Sequence, residues 1–278
     1  MVAASKMRKS VANVLASRNY AVLAWDLVKK LAERTNAKYH PLLKVRPVVK
    51  KVCLVLITSN RGLCGGFNNQ IISKVIKFIR LEQERSGVSA DVVVMGKKGR
   101  EVMIKSGQRI IADFEKMDIT TAIEEIRPLV KLLIADYLSG KFDQVMIAYT
   151  DFISTLVQKP RILQLLPLNN EGEDQYLGEA GEQEGAFKKI SSEVEYLFEP
   201  SPDKVLADLL PRMLETQMYQ AILESDASEH SARMVAMQNA TDAAKEMIDD
   251  LTLVFNKARQ SSITAELADI SGGRAALE

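Results

Sequence analysis

Two histidines and two cysteines are all that 278 residues supply of the side chains that most often hold metals or act as nucleophiles. Cys53 and Cys64 form no CxxC pair and no metal-ligand spacing, which reads as reduced, buried thiols in a cytosolic protein. Charge of one sign is missing as well. Lys plus Arg is 37 against 36 for Asp plus Glu, and a net charge of +1 argues against a dedicated nucleic-acid binder. No apolar run approaches the length of a bilayer span. The opening MVAASKMRKS followed by VANVLAS imitates a signal peptide, but the helical repeat runs straight through it and past Arg18, which rejects that reading. Glycine is absent from Pro202 until Gly272.

That glycine-free stretch reads as one very long helix. Ser201 suits the cap, Pro202 the first helical position, and Asp203 the positive end of the dipole; Pro211 is placed to kink the axis. Met237, Ala240, Ala244, Met247, Leu251, Val254 and Ala258 step by three and four, a heptad seam of mean period about 3.5. At about 1.5 Å per residue the helix would run on the order of 100 Å and project from whatever carries it. Three alanines in the seam call for a closely packed partner. Ala4, Met7, Val11, Val14, Arg18, Ala21, Trp25 and Val28 carry the same repeat at the other end of the chain, with Arg18 the one polar member. Two such segments separated by a stretch of different character predict an antiparallel, left-handed pair of terminal helices, in preference to two helices packed separately on a core.

Between them the period changes. The first helix ends before Pro41 and Pro47. Val52 to Ile57 is a branched apolar run of the kind that makes a buried strand, and a glycine turn, RGLCGG, follows it. A helix from Asn68 to Arg85, strand ADVVVMG, a short helix from Gly99 to Lys105 and strand RIIADF come next. Thr120 is placed to cap a helix running to Leu138, and strands DQVMIAYT and LVQKPRILQLLPL follow. The alternation predicts an α/β layered, Rossmann-like domain over residues 48–200 with a mainly parallel sheet, its last strands free to pair antiparallel. Residues 169–185, acidic and glycine-rich, are expected to be a mobile surface loop, and SEVEYLFEP to be a closing strand. The helical segments flank this domain at 1–40 and 201–278.

A strand, a glycine loop and a helix invite a phosphate cradle at Arg61 to Phe67. The loop lacks the lysine of GxxxxGK[ST], and Gly62, Gly65 and Gly66 do not fit GxGxxG, so a tight turn is the better reading. His40 precedes a proline in a linker, and His230 reads as solvated or at a protein contact. No serine or cysteine has a recognisable base near it in sequence, and no catalytic, cofactor or metal site emerges.

ITSNRGLCGGFN, YLFEPSPDKVL, ASEHSARMVAMQNATD and LTLVFNKARQSSITAELADI, with the opening MVAASKMRK, resemble the gamma subunit family of rotary ATP synthases over essentially the whole chain. The resemblance implies a non-catalytic central shaft that binds no nucleotide or other cofactor. It turns inside a hexamer of alpha and beta subunits, rests with its α/β foot on the c-subunit ring beside epsilon, and regulates ATPase activity. It implies a peripheral place on the cytoplasmic face of a bacterial plasma membrane. Carried over one at a time, Arg233, Arg259, Gln260, Thr264, Lys6 and Arg8 match positions that contact the hexamer, and Tyr196 and Glu199 match the region that meets the c ring and epsilon.

Departures from the family pattern remain. Its members begin several helical turns earlier, so Met1 is expected to mark a truncated start or a misassigned one. Arg274 stands where the family has small apolar residues, and the foot lacks the close cysteine pair of chloroplast relatives, so their thiol switch is expected to be missing. Two rival classes stay open on the residues alone. Nucleotide titration would discriminate an α/β nucleotide-binding enzyme with helical arms, and absence from a purified ATPase would favour an unrelated coiled-coil scaffold.

Overall fold

Strand β1, Lys51–Ile57, is buried on both faces, and the rest of the sheet assembles around it. The computed structural model describes residues 2–34, 40–120, 122–168, 199 and 201–275. Past Ser17, the described side chains of α1 (Val2–Arg34) are those of Ala24 and Leu31. Along β1, Cys53, Val55 and Ile57 point into one core and Leu54 and Leu56 into the other. A strand covered on both sides must be apolar without alternation, as this one is.

The sheet order is β3 (Ile110–Phe114), β2 (Ser89–Met95), β1, β4 (Gln144–Phe152), β5 (Gln158–Leu166). The first four run parallel and β5 pairs antiparallel with β4. The short β4–β5 connection permits this pairing, whereas parallel neighbours need a crossover. Helix α2 (Phe67–Ser86) lays Ile71, Ile72, Val75 and Ile79 on one face of the sheet, and Met103 of α3 (Lys97–Lys105) joins them. Helix α4 (Arg127–Leu138) covers the other face through Leu129, Val130, Leu133 and Tyr137.

Helix α4 departs from expectation. A 3₁₀ turn at Ile123–Glu125 precedes it, and the α-helix begins at Arg127 with Pro128 in its first turn. Thr120 caps nothing there; its backbone N–H donates to Asp226 Oδ2 at 3.0 Å. Proline disfavours helical backbone in the residue before it, so the helix starts beside Pro128 and not a full two turns earlier.

Helix α5, Pro202–Ala275, runs through Pro211 without interruption. Ser201 caps it as expected: its Oγ accepts the Lys204 N–H at 3.4 Å and its carbonyl the Val205 N–H at 3.1 Å. The chain divides into two compact units, Met1–Met234 and Val235–Glu278. In the first unit α5 buries Leu206, Leu210, Met213, Leu214 and Ile222 in the α4-side core. Val14 of α1 packs with Leu223, Ala227 and Phe152.

The terminal helices are therefore paired and antiparallel, but along a different stretch of α5 than the heptad seam suggests. The Ser17 hydroxyl stands 2.6 Å from Gln220 Oε1. At equal rise per residue this brings Val2 level with about residue 235, so α1 lies along the 206–234 part of α5. In the second unit Met247 is 64% exposed, Leu251 61% and Val254 60%. Residues 169–185 and Tyr196, with the rest of the SEVEYLFEP stretch apart from Glu199, lie outside the described residues; Glu199 is exposed.

Candidate functional site

The carboxyl ends of β1, β3 and β4 are where an open, doubly wound sheet takes a ligand. Here they take α5. Arg61, just past β1, offers its carbonyl to Arg233 Nη2 at 3.3 Å. Thr150, near the end of β4, accepts the Ser228 hydroxyl at 3.1 Å. Lys116, just past β3, reaches Asp226 Oδ1 at 2.9 Å and Glu229 through Oε2. The charged run Glu224 to Arg233, ESDASEHSAR, thus lies against the sheet edge and not in solvent.

The electrostatics of this joint balance internally. Burial alone would favour neutral Lys116, but Asp226 and Glu229 outweigh it and hold the ammonium well above its ordinary value. Burial pushes Asp226 up, against the pull of Lys116. Burial also opposes charge on Glu229, yet Lys116 and Arg233 prevail and hold that carboxyl below its usual range. Arg233 Nη1 donates to Glu229 Oε1 at 2.9 Å, so two cations face two carboxylates.

His230 is 2% exposed and not solvated. Its Nε2 lies 2.8 Å from the Asp118 carbonyl oxygen, which can only accept, so Nε2 carries the proton. Nδ1 is left as an acceptor, 3.4 Å from Arg233 Nη1. Burial lowers the imidazole below its ordinary value of 6.5. Asp118 in turn pairs with Lys6 of α1 at 2.8 Å, and that hydrogen bond holds its carboxyl down.

The glycine loop is a turn in this structure. Leu63 and Gly65 take positive φ, at 61° and 56°. Asn68 on α2 fastens the loop: its Oδ1 accepts the Ser59 N–H at 3.0 Å and its Nδ2 donates to Ser59 Oγ at 2.7 Å.

Arg233 and Lys6 therefore sit in one network through Glu229, His230 and Asp118. Arg8 is exposed on α1. Arg259, Gln260 and Thr264 are exposed on the second unit, where the Thr264 hydroxyl donates back to the Gln260 carbonyl at 2.8 Å. Sequence reasoning missed Lys116, Asp226 and Glu229 as a group. The available signal was a run of eight polar residues among ten at a place where the helix must also bury Leu223 and Ala227.

A family model described as ATP synthase matches residues 1–277. The ATP synthase gamma chain of Roseiflexus castenholzii (strain DSM 13941 / HLO8) is 42% identical over 278 residues, covering 100% of this chain and 90% of that one. The chain belongs to the ATP synthase gamma chain family. The gamma chain of Legionella pneumophila (strain Corby) is 37% identical over 277 residues, covering 100% of this chain and 91% of that relative. A central-stalk chain in the cryo-EM structure of Tetrahymena thermophila mitochondrial ATP synthase, central stalk and c ring, superposes with a TM-score of 0.62 at 25% identity. That match covers 87% of this chain and 96% of that one. A chain of the Euglena gracilis mitochondrial ATP synthase shares the fold at 17% identity, TM-score 0.57, over 99% of this chain and 93% of that one. The fold is that of a gamma-chain central stalk: a mixed α/β sheet with a long C-terminal helix. Among the described residues no helix is long and apolar enough to cross a membrane.

Proposed function

We propose that this chain is the rotor shaft of a proton-translocating ATP synthase. It turns with a c-subunit ring and drives the beta subunits of an alpha–beta hexamer through their catalytic states, regulating hydrolysis by the same contacts. The observation that carries this reading is the bare course of α5. Met247, Leu251 and Phe255 are each more than 60% exposed, on a helix whose full-length relatives are gamma chains. Such a surface, bare in the chain alone, marks a protein–protein contact.

In this reading Arg259, Gln260, Thr264 and Arg8 face the hexamer, and Arg233 and Lys6 reach it from the polar joint. Arginine and glutamine suit a moving contact, because they form specific hydrogen bonds that can be exchanged. Residues 48–200 form the foot between helical segments 1–40 and 201–278, and Tyr196 and Glu199 meet the c ring and epsilon. The subunit performs no catalysis itself, and it lies peripherally at the cytoplasmic face of a bacterial plasma membrane.

The test uses membrane vesicles from cells lacking the chain. Re-addition of the purified chain with alpha, beta and epsilon should restore ATP-driven proton uptake. Uptake that is equal with and without the chain would exclude the rotor reading.

A further inference from the structure

A shaft must not rotate within its own foot, and the polar joint supplies what an apolar interface lacks: contacts that resist twist about the helix axis. On α5, Asp226, Glu229, His230 and Arg233 fall within an arc of about 100° at about 100° per residue. All four bind the loops past β1 and β3: Lys116, the Thr120 N–H, and the carbonyls of Asp118 and Arg61. Ser228, which donates to the Thr150 carbonyl, lies about 150° around the helix from the middle of that arc. Gln220, held by Ser17 of α1, points in a third direction. Leucine and methionine contacts can slide past one another at little cost. Turning this helix would drag two buried carboxylates off one buried ammonium.

We propose that Lys116 is a positioning residue for torque transfer, locking α5 to the α/β foot through Asp226 and Glu229. Its side chain is 2% exposed and Asp226's is 0%, so water is not at hand to replace either partner during twist. Lys116 bridges two positions of α5 from the sheet side. It joins them at a spacing of three residues, so it fixes the rotation of the helix and not merely its distance. The loop 116–120 that carries it is held at its far end by the Thr120–Asp226 bond and by the Lys6–Asp118 pair from α1. All three elements of the joint meet at this loop.

The proposal rests on the rotor reading, and its test keeps the two apart. Complexes are assembled with the wild-type chain, Lys116→Met, Lys116→Arg, and Lys116→Met combined with Asp226→Asn and Glu229→Gln. The triple variant removes Lys116 together with both of its carboxylate partners, and Arg233, which then loses Glu229, has 18% of its side chain open to water, so it folds even where Lys116→Met alone does not. ATP hydrolysis and ATP-driven proton uptake are measured on the same vesicles. Hydrolysis should stay near wild type in the triple variant while protons moved per ATP fall severalfold, and Lys116→Arg should restore the ratio. An unchanged ratio in an assembled triple variant overturns the proposal, as does failure of Lys116→Arg to restore it. Failure of the triple variant to assemble assigns Lys116 to folding alone and overturns it as well. Absence of proton uptake with the wild-type chain instead overturns the rotor reading beneath it.

Discussion

The Ser17 hydroxyl donates to Gln220 Oε1 at 2.6 Å and ties α1 to α5 at a single register. The same hydroxyl oxygen lies 3.1 Å from the Val14 carbonyl, which shares its one proton, and Gln220 Nε2 donates to Glu224 at 2.8 Å. The two helices thus share one chain of hydrogen bonds beside the packing of Val14 on Leu223 and Ala227. Ser10, Val14 and Ser17 lie on one face of α1, with Ser10 and Val14 buried.

Ser17→Ala should cost about 1–3 kcal/mol, because the Oε1 of buried Gln220 loses its donor. The expected result is a lower urea midpoint for the purified chain with an unchanged slope. A slope change would mean that the helix pair opens independently of the sheet.

Two glycines should respond in opposite ways. A Cβ at Gly96, where φ is +106°, would lie 2.2 Å from the Thr58 carbonyl oxygen. Gly96→Ala should therefore cost about 3 kcal/mol or more, since backbone clash and positive φ add. A Cβ at Gly62 meets nothing within 4 Å and needs no unusual φ. Gly62→Ala should be neutral or stabilising by about 0.4–1 kcal/mol through the unfolded chain. Thermal denaturation of the two variants side by side gives the contrast.

Acid should weaken the joint through His230. Its folded-state value lies below the ordinary 6.5 because it is buried, so between the two values the unfolded chain binds more protons than the folded one. The stability it contributes is complete above about pH 6.5 and declines as pH falls toward the folded value. Glu229, held below 4.5 despite its burial, adds a second loss at lower pH. Urea midpoints at pH 7.5 and 5.5 should diverge in the wild type, and His230→Gln should narrow the gap.

Replacing Arg259 and Gln260 together with alanine should leave the shaft folded and impair coupling. Both side chains are exposed, and alanine is the best helix former, so circular dichroism of the chain should not fall. Each lost charge-assisted contact in the complex is worth about 1.5–3 kcal/mol. ATP hydrolysis by the assembled complex should drop. Wild-type hydrolysis and proton pumping together would remove these residues from the contact.

The sheet was legible because a strand buried on both faces admits little besides branched apolar residues, and Val52 to Ile57 contains nothing else apart from Cys53. The long helix was legible from the want of glycine after Pro202. The register of α1 on α5 was not, because steps of three and four recur all along α5 and every turn offers an equivalent seam. Only contacts distant in sequence, such as Ser17 with Gln220, select one. The joint was hidden for a related reason. Glu229 and His230 look like a solvated flank until Lys116 and Asp118, more than a hundred residues away, come to meet them. Thr120 had the right chemistry for a cap, but Pro128 decided where α4 begins.

The exposed stripe also bears on the order of assembly. Among the described residues, Leu251, Phe255, Leu267 and Ile270 are each about 60% exposed or more. A freshly made copy therefore carries an adhesive rod for as long as it waits. Two copies that meet first would cover each other's stripes and compete with the proper partners. The chain is safest when its last turns are enclosed soon after synthesis, so supply of the enclosing subunits should be rate-setting for recovery of intact rotor, and overproduction of this chain alone should be self-defeating.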